Sequence, residues 1–253
     1  MAVKIVSDLH GATDTLQAEV APDDTLLLLG DLINVIDYTT RDGILVEMFG
    51  VEAVNEVISL RAEKRFDEAR AVMAKRREGR EAEVAERFEV LFREAYRDVF
   101  DVLPTPTYLI LGNVDRPAIV HEMTRPGVHL VDGKVVDLAG KRIGFVGGGL
   151  PTPLHIAGEI EEEEYNAKLE GLGAVDIVCS HVPPDIPELT YDTLAERHER
   201  GSSRLVSYIR DVQPERVFFG HIHQPLLSST HLGRTHLCNV GYFRRTRRAL
   251  TLW

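Results

Sequence analysis

The sequence predicts an α/β fold with mixed sheets. Short apolar runs recur along the chain and most end in glycine or a polar residue, as expected for strands covered on both faces. Asp132 and Gly133 separate two strand-like runs, 128–131 and 135–137, and this pair is typical of a tight hairpin turn, which indicates antiparallel pairing as well. Helical patterns fill two of the gaps between the runs. Together these features indicate a layered α/β protein.

The predicted strands are short and spread over the whole chain. Several are largely apolar, which suits burial within a layered fold. Besides the two runs named above, they cover residues 3–6, 25–29, 107–111, 142–146, 175–179, 216–219, 235–238 and 249–253.

Residues 42–101 have a different character, with many charges of both signs and few strand formers. Within this stretch, apolar residues repeat at spacings of three and four, which places them on one helical face. They are Val84, Phe88, Leu91, Ala95 and Val99. We expect a helical hairpin, interrupted near Gly79, inserted into a single domain that spans residues 1–253. The insertion could cap a cleft, decorate the surface or form a dimer contact. A further helix is predicted over 161–172.

Composition excludes some functional classes. The formal net charge of −11 and the pI near 5.4 argue against a surface built for duplex nucleic acid. The basic run 244–248 is interpreted as a solvated edge, with contact to a phosphate or a partner subunit as the alternative. No stretch is apolar enough to cross a membrane, and no secretory signal precedes the first strand. Cys179 and Cys238 are expected to be free thiols, which fits a cytoplasmic location.

Polar residues of a particular kind follow five of the predicted strands. Singly, each could be a turn residue, a helix cap or a satisfied polar group. Together they supply carboxylate, imidazole and amide groups at one edge of the sheets, which suits divalent cations such as Mn²⁺, Fe or Zn²⁺ and requires no cysteine. They are Asp8 and His10, Asp31, Asn113 and Asp115, His181, and His221 with His223.

The order of these motifs, Asp-x-His, Gly-Asp, Gly-Asn-x-Asp, His and Gly-His-x-His, resembles that of the calcineurin-like metallophosphoesterases. The turn 238–242 is similar to a later turn of that family, with proline and serine changed. The resemblance implies two packed mixed β-sheets flanked by helices, a four-layer fold. It also implies that Asp8, His10 and His223 bind one metal ion, that Asn113, His181 and His221 bind the other, and that Asp31 bridges the two.

The resemblance further implies a phosphodiesterase or phosphatase in which a hydroxide between two metal ions attacks phosphorus. Mn²⁺ is the first choice of metal, with Fe, Zn²⁺ and Ni²⁺ as alternatives, and the substrate would be a small phosphate ester. Many members of the family have a histidine where this chain has Val114, which can neither donate a proton nor hold a phosphate. We therefore expect better hydrolysis of diesters and activated monoesters than of alkyl phosphates. Asp115 is expected to orient the site rather than bind metal.

Four questions stay open at this level. A non-catalytic, metal-binding interaction scaffold of the same fold is the alternative to an enzyme, and the chain could form a homo-oligomer. A nuclease acting on short oligonucleotides is disfavoured by the negative charge. Five further polar residues could face the cleft, although a surface or capping role is favoured for each. They are Asn34, Asp37, Arg116, His155 and His198.

Overall fold

A computed structural model describes residues 2–253. The strands are β1 (Val3–Val6), β2 (Thr25–Leu29), β3 (Thr107–Ile110), β4 (Val128–Leu130), β5 (Val135–Leu138), β6 (Lys141–Val146), β7 (Ile177–Ser180), β8 (Tyr191–Asp192), β9 (Arg197–His198), β10 (Arg216–Phe219), β11 (Ser229–Leu232), β12 (Thr235–Asn239) and β13 (Leu250–Thr251). The helices are α1 (Thr13–Glu19), α2 (Ile44–Phe49), α3 (Val51–Ala62), α4 (Phe66–Arg77), α5 (Glu81–Val102), α6 (Pro117–Met123), α7 (Glu162–Gly171), α8 (Pro187–Thr190), α9 (Ser203–Val212) and α10 (Phe243–Thr246).

Two large mixed sheets form the centre of the fold, as predicted. Sheet A has the order β13-β1-β2-β3-β4, and sheet B has the order β11-β12-β10-β7-β6-β5. The strands β1 to β4 run parallel, as do β6, β7, β10 and β12, while β13, β11 and β5 pair antiparallel at the sheet edges. Strands β8 and β9 form a separate small hairpin.

The leucine run of β2 shows why these strands are apolar throughout. Leu27 and Leu29 pack into the layer between the two sheets, while Leu26 and Leu28 pack against the helices outside sheet A. Side chains alternate between the two faces of a strand, so a strand covered on both sides must be apolar at every position. Each fully buried side chain of this size contributes about 1.5–3 kcal/mol. The layers are therefore helix, sheet, sheet and helix.

The hairpin predicted at Asp132 and Gly133 is wrong. Strand β4 pairs with β3 in sheet A, whereas β5 pairs with β6 in sheet B, so the turn leads from one sheet to the other. Gly133 does adopt a positive φ of 68°, and Asp132 accepts a hydrogen bond from the amide of Gly147 (2.7 Å). The pair does form a tight turn, but local turn chemistry does not determine which strand becomes the partner.

The inserted segment is helical, as predicted, but it holds four helices, α2 to α5, rather than the two of a hairpin. Helix α5 belongs to the layer that covers sheet A, since Leu91, Tyr96 and Val99 are buried in that core. Helices α3 and α4 pack mainly on each other and expose most of their charged residues. None of the helices within residues 2–253 has the length and apolar character that crossing a membrane requires. Cys179 and Cys238 are both free thiols.

Candidate metal centre

Several of the predicted site residues lie in tight turns, each directly after a strand. Asp8 and Asp31 each have a φ of 54°, His10 has 41° and His221 has 68°, all in the left-handed region that residues with a Cβ seldom adopt. Such conformations cost about 1–3 kcal/mol each and persist where the surrounding structure enforces them, often at functional sites. The amides of Asp8 and His10 bond to the carbonyls of Gly30 and Asp31, which joins the first two turns.

Four of the predicted residues form one compact group. The ligand atoms of Asp8, His10, Asp31 and His223 all lie within 4.8 Å of one another. The two Nε2 atoms of His10 and His223 are 3.3 Å apart. Oδ2 of Asp31 is 3.6 Å from Nε2 of His10, and Oδ1 of Asp8 is 3.4 Å from Nε2 of His223. Two carboxylates and two imidazoles therefore converge on one point.

A second group lies on the other side of Asp31. Oδ1 of Asn113 is 3.0 Å from Nε2 of His181 and 2.9 Å from Nδ1 of His221. Nε2 of His181 is also 3.6 Å from Oδ1 of Asp31, the oxygen that does not face His10. The Asp31 carboxylate thus stands between the two groups, with one oxygen toward each. The structure brings all seven of these residues to one edge of the two sheets.

Backbone carbonyls fix the orientation of two of the imidazoles. Nδ1 of His10 is 3.2 Å from the carbonyl oxygen of Ile33, and Nδ1 of His181 is 2.8 Å from that of Leu29. A carbonyl oxygen only accepts, so Nδ1 carries the hydrogen in each ring. In the neutral form of each ring, the lone pair of Nε2 then points into the site, which is the arrangement found in metal-binding histidines.

Burial sets the protonation of the site. Burial, followed by the neighbouring histidine, lowers the pKa of His10 and of His221 to about 3, so both are neutral and able to bind metal near pH 7. Burial raises the pKa of Asp31 well above its usual range, and the nearby carboxylates of Asp8 and Asp115 raise it further. For Asp8, burial also raises the pKa, but the hydrogen bond and charge of His223 outweigh it and the pKa falls.

This electrostatic arrangement fits a site for cations. Asp8, Asp31 and Asp115 have exposures of only 1%, 3% and 0%. Among residues 2–253, the ion-pair partners of Asp8 and Asp31 are histidines rather than lysine or arginine. Burying several carboxylates together is costly unless a positive charge compensates them. Divalent cations would supply that charge, and the oxygen and imidazole donors suit them chemically.

Asp115 lies beneath the site and binds backbone rather than facing the convergence points. One carboxylate oxygen accepts the amides of Asp31 (2.9 Å) and Gly112 (2.8 Å), and the other accepts the amide of Leu32 (3.0 Å) and the hydroxyl of Tyr96 (3.3 Å). The loops after β2 and β3 are joined through this one side chain. Such contacts are those of a residue that orients its neighbours.

The glycine run 147–149 lies beside the site. The amide of Gly149 bonds to the carbonyl of Gly158, whose own amide bonds to the carbonyl of Asn113 (2.8 Å). A Cβ on Gly149 would lie only 2.4 Å from Cβ of Asn113, so the close approach requires glycine. This contact supports the loop that carries Asn113.

Sequence reasoning missed Tyr242 and misjudged Arg244. The ring of Tyr242 stacks on that of His223 with centroids 3.9 Å apart and planes 10° apart. The sequence predicts a solvated edge at Arg244, but this residue is half-buried, and its guanidinium donates to the carbonyl of His10 (2.8 Å) and pairs with Asp42 (2.8 Å). The rest of the basic run is exposed. The one signal was the turn 238–242, which ends at Tyr242 and leads directly to Arg244.

The five additional polar residues are placed differently from one another. Asn34 donates to Asp42, and the guanidinium of Arg116 lies 3.8 Å from the ring centroid of Phe92, on α5. His198 contacts Thr190 (3.2 Å), while His155 is exposed on the loop after β6.

Asp37 caps its own turn, as favoured, by accepting the amides of Thr39 and Thr40. It also accepts the hydroxyl of Tyr242, which the sequence did not indicate.

Comparison with solved structures agrees with the fold. One crystal structure covers 95% of this chain and 90% of its own with a TM-score of 0.60 and 17% identity. The crystal structure of TT1561 of Thermus thermophilus covers 98% of this chain and 96% of its own, with a TM-score of 0.50 and 15% identity. At such identities the likeness shows the fold alone. No curated protein matches the sequence.

The family itself follows from the sequence match. Residues 1–225 match the model of the calcineurin-like phosphoesterases, which spans most of the 253 residues. The fold and the group of candidate metal ligands define a metallophosphoesterase-type protein. The chain belongs to the calcineurin-like phosphoesterase family.

Proposed function

We propose that this protein hydrolyses small phosphate esters with the help of two divalent metal ions. The observation that carries the proposal is the convergence of six donor residues on the two sides of a seventh, Asp31. Asp8, His10 and His223 would hold one ion, Asn113, His181 and His221 would hold the other, and Asp31 would serve both. The ions would supply an acidified water as nucleophile and positive charge for the phosphate oxygens. Mn²⁺ is the proposed metal, with Fe, Zn²⁺ and Ni²⁺ as alternatives.

The residues of this chain would act mainly by holding the metal ligands in position. Two hydrogen bonds orient Asp31. The amide of Val114 donates to Oδ1 of Asp31 (3.0 Å), and the backbone amide of Asp31 donates to the carboxylate of Asp115. The half-buried Val114 side chain offers no proton for a leaving group. General acid help is worth about 10²–10⁴-fold in rate, so its lack would hurt poor leaving groups most. We therefore propose phosphodiesters or activated monoesters as substrates.

We further propose that helices α3 and α4 cover the cleft as a cap. The guanidinium of Arg61 on α3 donates to the hydroxyl of Tyr38 (3.0 Å), in the loop that follows Asp31. The guanidinium of Arg70 on α4 donates to the carbonyl of Pro153 (2.9 Å), in the loop that follows β6. That second loop also holds Gly158, which bonds to Asn113. The helical pair thus contacts a loop from each sheet at the edge where the site lies, which supports a limit on substrate size.

The direct test is hydrolysis of bis-p-nitrophenyl phosphate and p-nitrophenyl phosphate by metal-stripped protein supplied with Mn²⁺, Fe²⁺, Zn²⁺ or Ni²⁺. We expect turnover that Asp31→Asn abolishes and that Asp98→Asn, a matched change on the exposed face of α5, leaves intact. Measured metal content separates the outcomes. Bound metal without turnover of either ester would favour the alternative, a non-catalytic scaffold of the same fold.

A further inference from the structure

We propose that Tyr242, held in place by Asp37 and Arg244, positions the imidazole of His223 for the ion that Asp8, His10 and His223 would share. This inference rests on the metal site of the proposed function. It assigns a positioning role to a C-terminal segment that lies beyond the part of the chain matched by the family model.

His223 needs an external support more than His10 and His181 do. His10 and His181 each donate Nδ1–H to a backbone carbonyl, which fixes the ring. Within residues 2–253, the close polar neighbours of the His223 ring are His10 and Asp8, which are themselves candidate ligands, and both approach Nε2. The side chain of His223 is also 32% exposed, against 6% for His10. Polar contacts alone therefore leave the ring free to rotate.

Tyr242 supplies the missing constraint. Its ring is nearly parallel to that of His223 at 3.9 Å and meets the ring of His10 edge-on, with centroids 5.3 Å apart. Parallel stacking restricts the tilt of the imidazole while leaving both ring nitrogens free. A face contact on one side and the ligand group on the other would hold Nε2 toward Asp8 and His10.

The Tyr242 ring is in turn fixed by polar contacts. Its hydroxyl donates to Oδ2 of Asp37 (2.7 Å), and the Asp37 carboxylate is held by the amides of Thr39 and Thr40. Burial raises the pKa of Asp37, but these hydrogen bonds outweigh it and lower the pKa to about 2, so Asp37 is an anion near neutral pH. Arg244 lies 3.4 Å from the same oxygen and also donates to the carbonyl of His10.

The backbone on either side of Tyr242 is tied to the same loops. Asn239 donates to the carbonyl of Ile222 (3.0 Å), between the two histidines His221 and His223, and accepts the amide of Gly241 (2.8 Å). On the other side, the amide of Phe243 bonds to the carbonyl of Ser7 (3.2 Å), next to Asp8. The segment around Tyr242 is therefore bonded to the loops that carry Asp8 and His223. Among the described residues, the ring of Tyr242 contacts the rings of His10 and His223 and not those of His181 or His221.

The consequence is a selective effect on one of the two ions. Residues that orient a metal ligand typically change metal affinity by about 10–100-fold when they are replaced. We expect Tyr242→Leu to lower the affinity for one ion by about that factor and to leave the affinity for the other ion near the wild-type value. Tyr242→Phe keeps the stacked ring but loses the bond to Asp37, so a smaller loss is expected, and Asp37→Asn should resemble it.

The test is Mn²⁺ binding to metal-stripped protein by equilibrium dialysis and titration calorimetry, with the visible spectrum of the Co²⁺-loaded protein as a second readout. Tyr208→Leu is the matched control, because Tyr208 has the same 8% exposure as Tyr242 but lies on α9, where its hydroxyl donates to Gly173. Circular dichroism verifies that each variant is folded. We expect a selective loss of one ion and a changed Co²⁺ spectrum for Tyr242→Leu, and neither change for Tyr208→Leu.

The outcomes distinguish this inference from the proposed function. If Tyr242→Leu binds both ions as the wild type does, or loses both equally, the positioning role is wrong while the metal site stands. The role is also wrong if Tyr208→Leu has the same effect. If the wild-type protein binds no divalent ion, the proposed function and this inference fail together.

Discussion

Gly112 lies against the carboxylate of Asp31 so closely that no side chain fits between them. A Cβ at position 112 would be 2.1 Å from Oδ1 of Asp31 and 2.6 Å from Cε1 of His181. Real Cβ atoms essentially never approach other heavy atoms to these distances, so one of the two groups would have to move. The glycine of the Gly-Asn motif is thus required by the space that Asp31 and His181 share.

Gly112→Ala should therefore disrupt the candidate site with little change elsewhere. Displacement of Asp31 or His181 by about 1 Å is enough to cost about 10²-fold in rate. The measurements are Mn²⁺ affinity and hydrolysis of bis-p-nitrophenyl phosphate. Gly171→Ala at the end of α7 is the control, because a Cβ there meets nothing within 4 Å. Wild-type affinity and turnover in Gly112→Ala would show that Asp31 is not confined as described.

Asp115→Asn should lower both stability and activity. Each carboxylate oxygen of Asp115 accepts two hydrogen bonds, so whichever oxygen becomes an amide nitrogen, two buried donors lose their acceptor. A buried donor left without a partner costs about 1–3 kcal/mol, so we expect a loss of about 2 kcal/mol or more in the free energy of unfolding. Urea denaturation measures it, with Asp98→Asn as the exposed control. Equal stability of the two variants would contradict the orienting role.

Val114→His should raise turnover of substrates with poor leaving groups. The backbone amide of Val114 already bonds to Asp31, so the loop conformation does not depend on the side chain that is replaced. A well-placed general acid is worth about 10²–10⁴-fold, and we expect at least a tenfold gain in kcat for an alkyl phosphate and little gain for p-nitrophenyl esters. Val114→Phe controls for bulk. If metal remains bound and kcat does not rise, the explanation of substrate preference by Val114 is wrong.

Loosening the cap should favour larger substrates. Arg61→Ala combined with Arg70→Ala removes the two side-chain contacts from α3 and α4 to the site loops. Each exposed hydrogen bond of this kind is worth about 1 kcal/mol or less, so the ratio of kcat/KM for a bulky diester to that for a small one should rise roughly threefold. Arg80→Ala is the control, since Arg80 pairs with Glu83, three residues further along the chain. An unchanged ratio would argue that the insertion is decorative.

The sequence predicted the order and kind of the site residues but not all of their surroundings. Asp8, Asp31 and His181 follow apolar strands, and parallel strands end at a common edge, so their convergence follows from local pattern and topology. Tyr242 had only the weak signal of its place at the end of the turn 238–242, where an aromatic residue is most simply a core residue. Its role depends on a neighbour 19 residues earlier in the chain, His223, which only the tertiary structure brings into contact with it.

The positions of the strands could be predicted from local pattern, whereas the pairing of the strands could not. Apolar runs such as β2 identify buried strands wherever they occur, since both faces must be covered. The choice of partner strand is a long-range property, and so the turn at Asp132 and Gly133 leads to a different sheet instead of a hairpin. The packing of the inserted helices could not be predicted, because a helix such as α5 needs an apolar stripe whether it packs on a sheet or on another helix.

Removal of metal should lower the thermal stability of the protein. Without cations, the buried carboxylates of Asp8, Asp31 and Asp115 repel one another, and burial and that repulsion raise the pKa of Asp31. An ion present at 100 times its Kd stabilises the folded state by about 2.7 kcal/mol. For a chain of this size each kcal/mol corresponds to about 2–4 °C, so one ion should raise Tm by roughly 5–10 °C. Differential scanning calorimetry of stripped protein, with and without Mn²⁺, measures the shift. Asp31→Asn should reduce it strongly because one candidate ligand serves both ions, whereas Asp98→Asn should keep it. A Tm that does not respond to any divalent cation would mean that these carboxylates are stabilised by something other than metal.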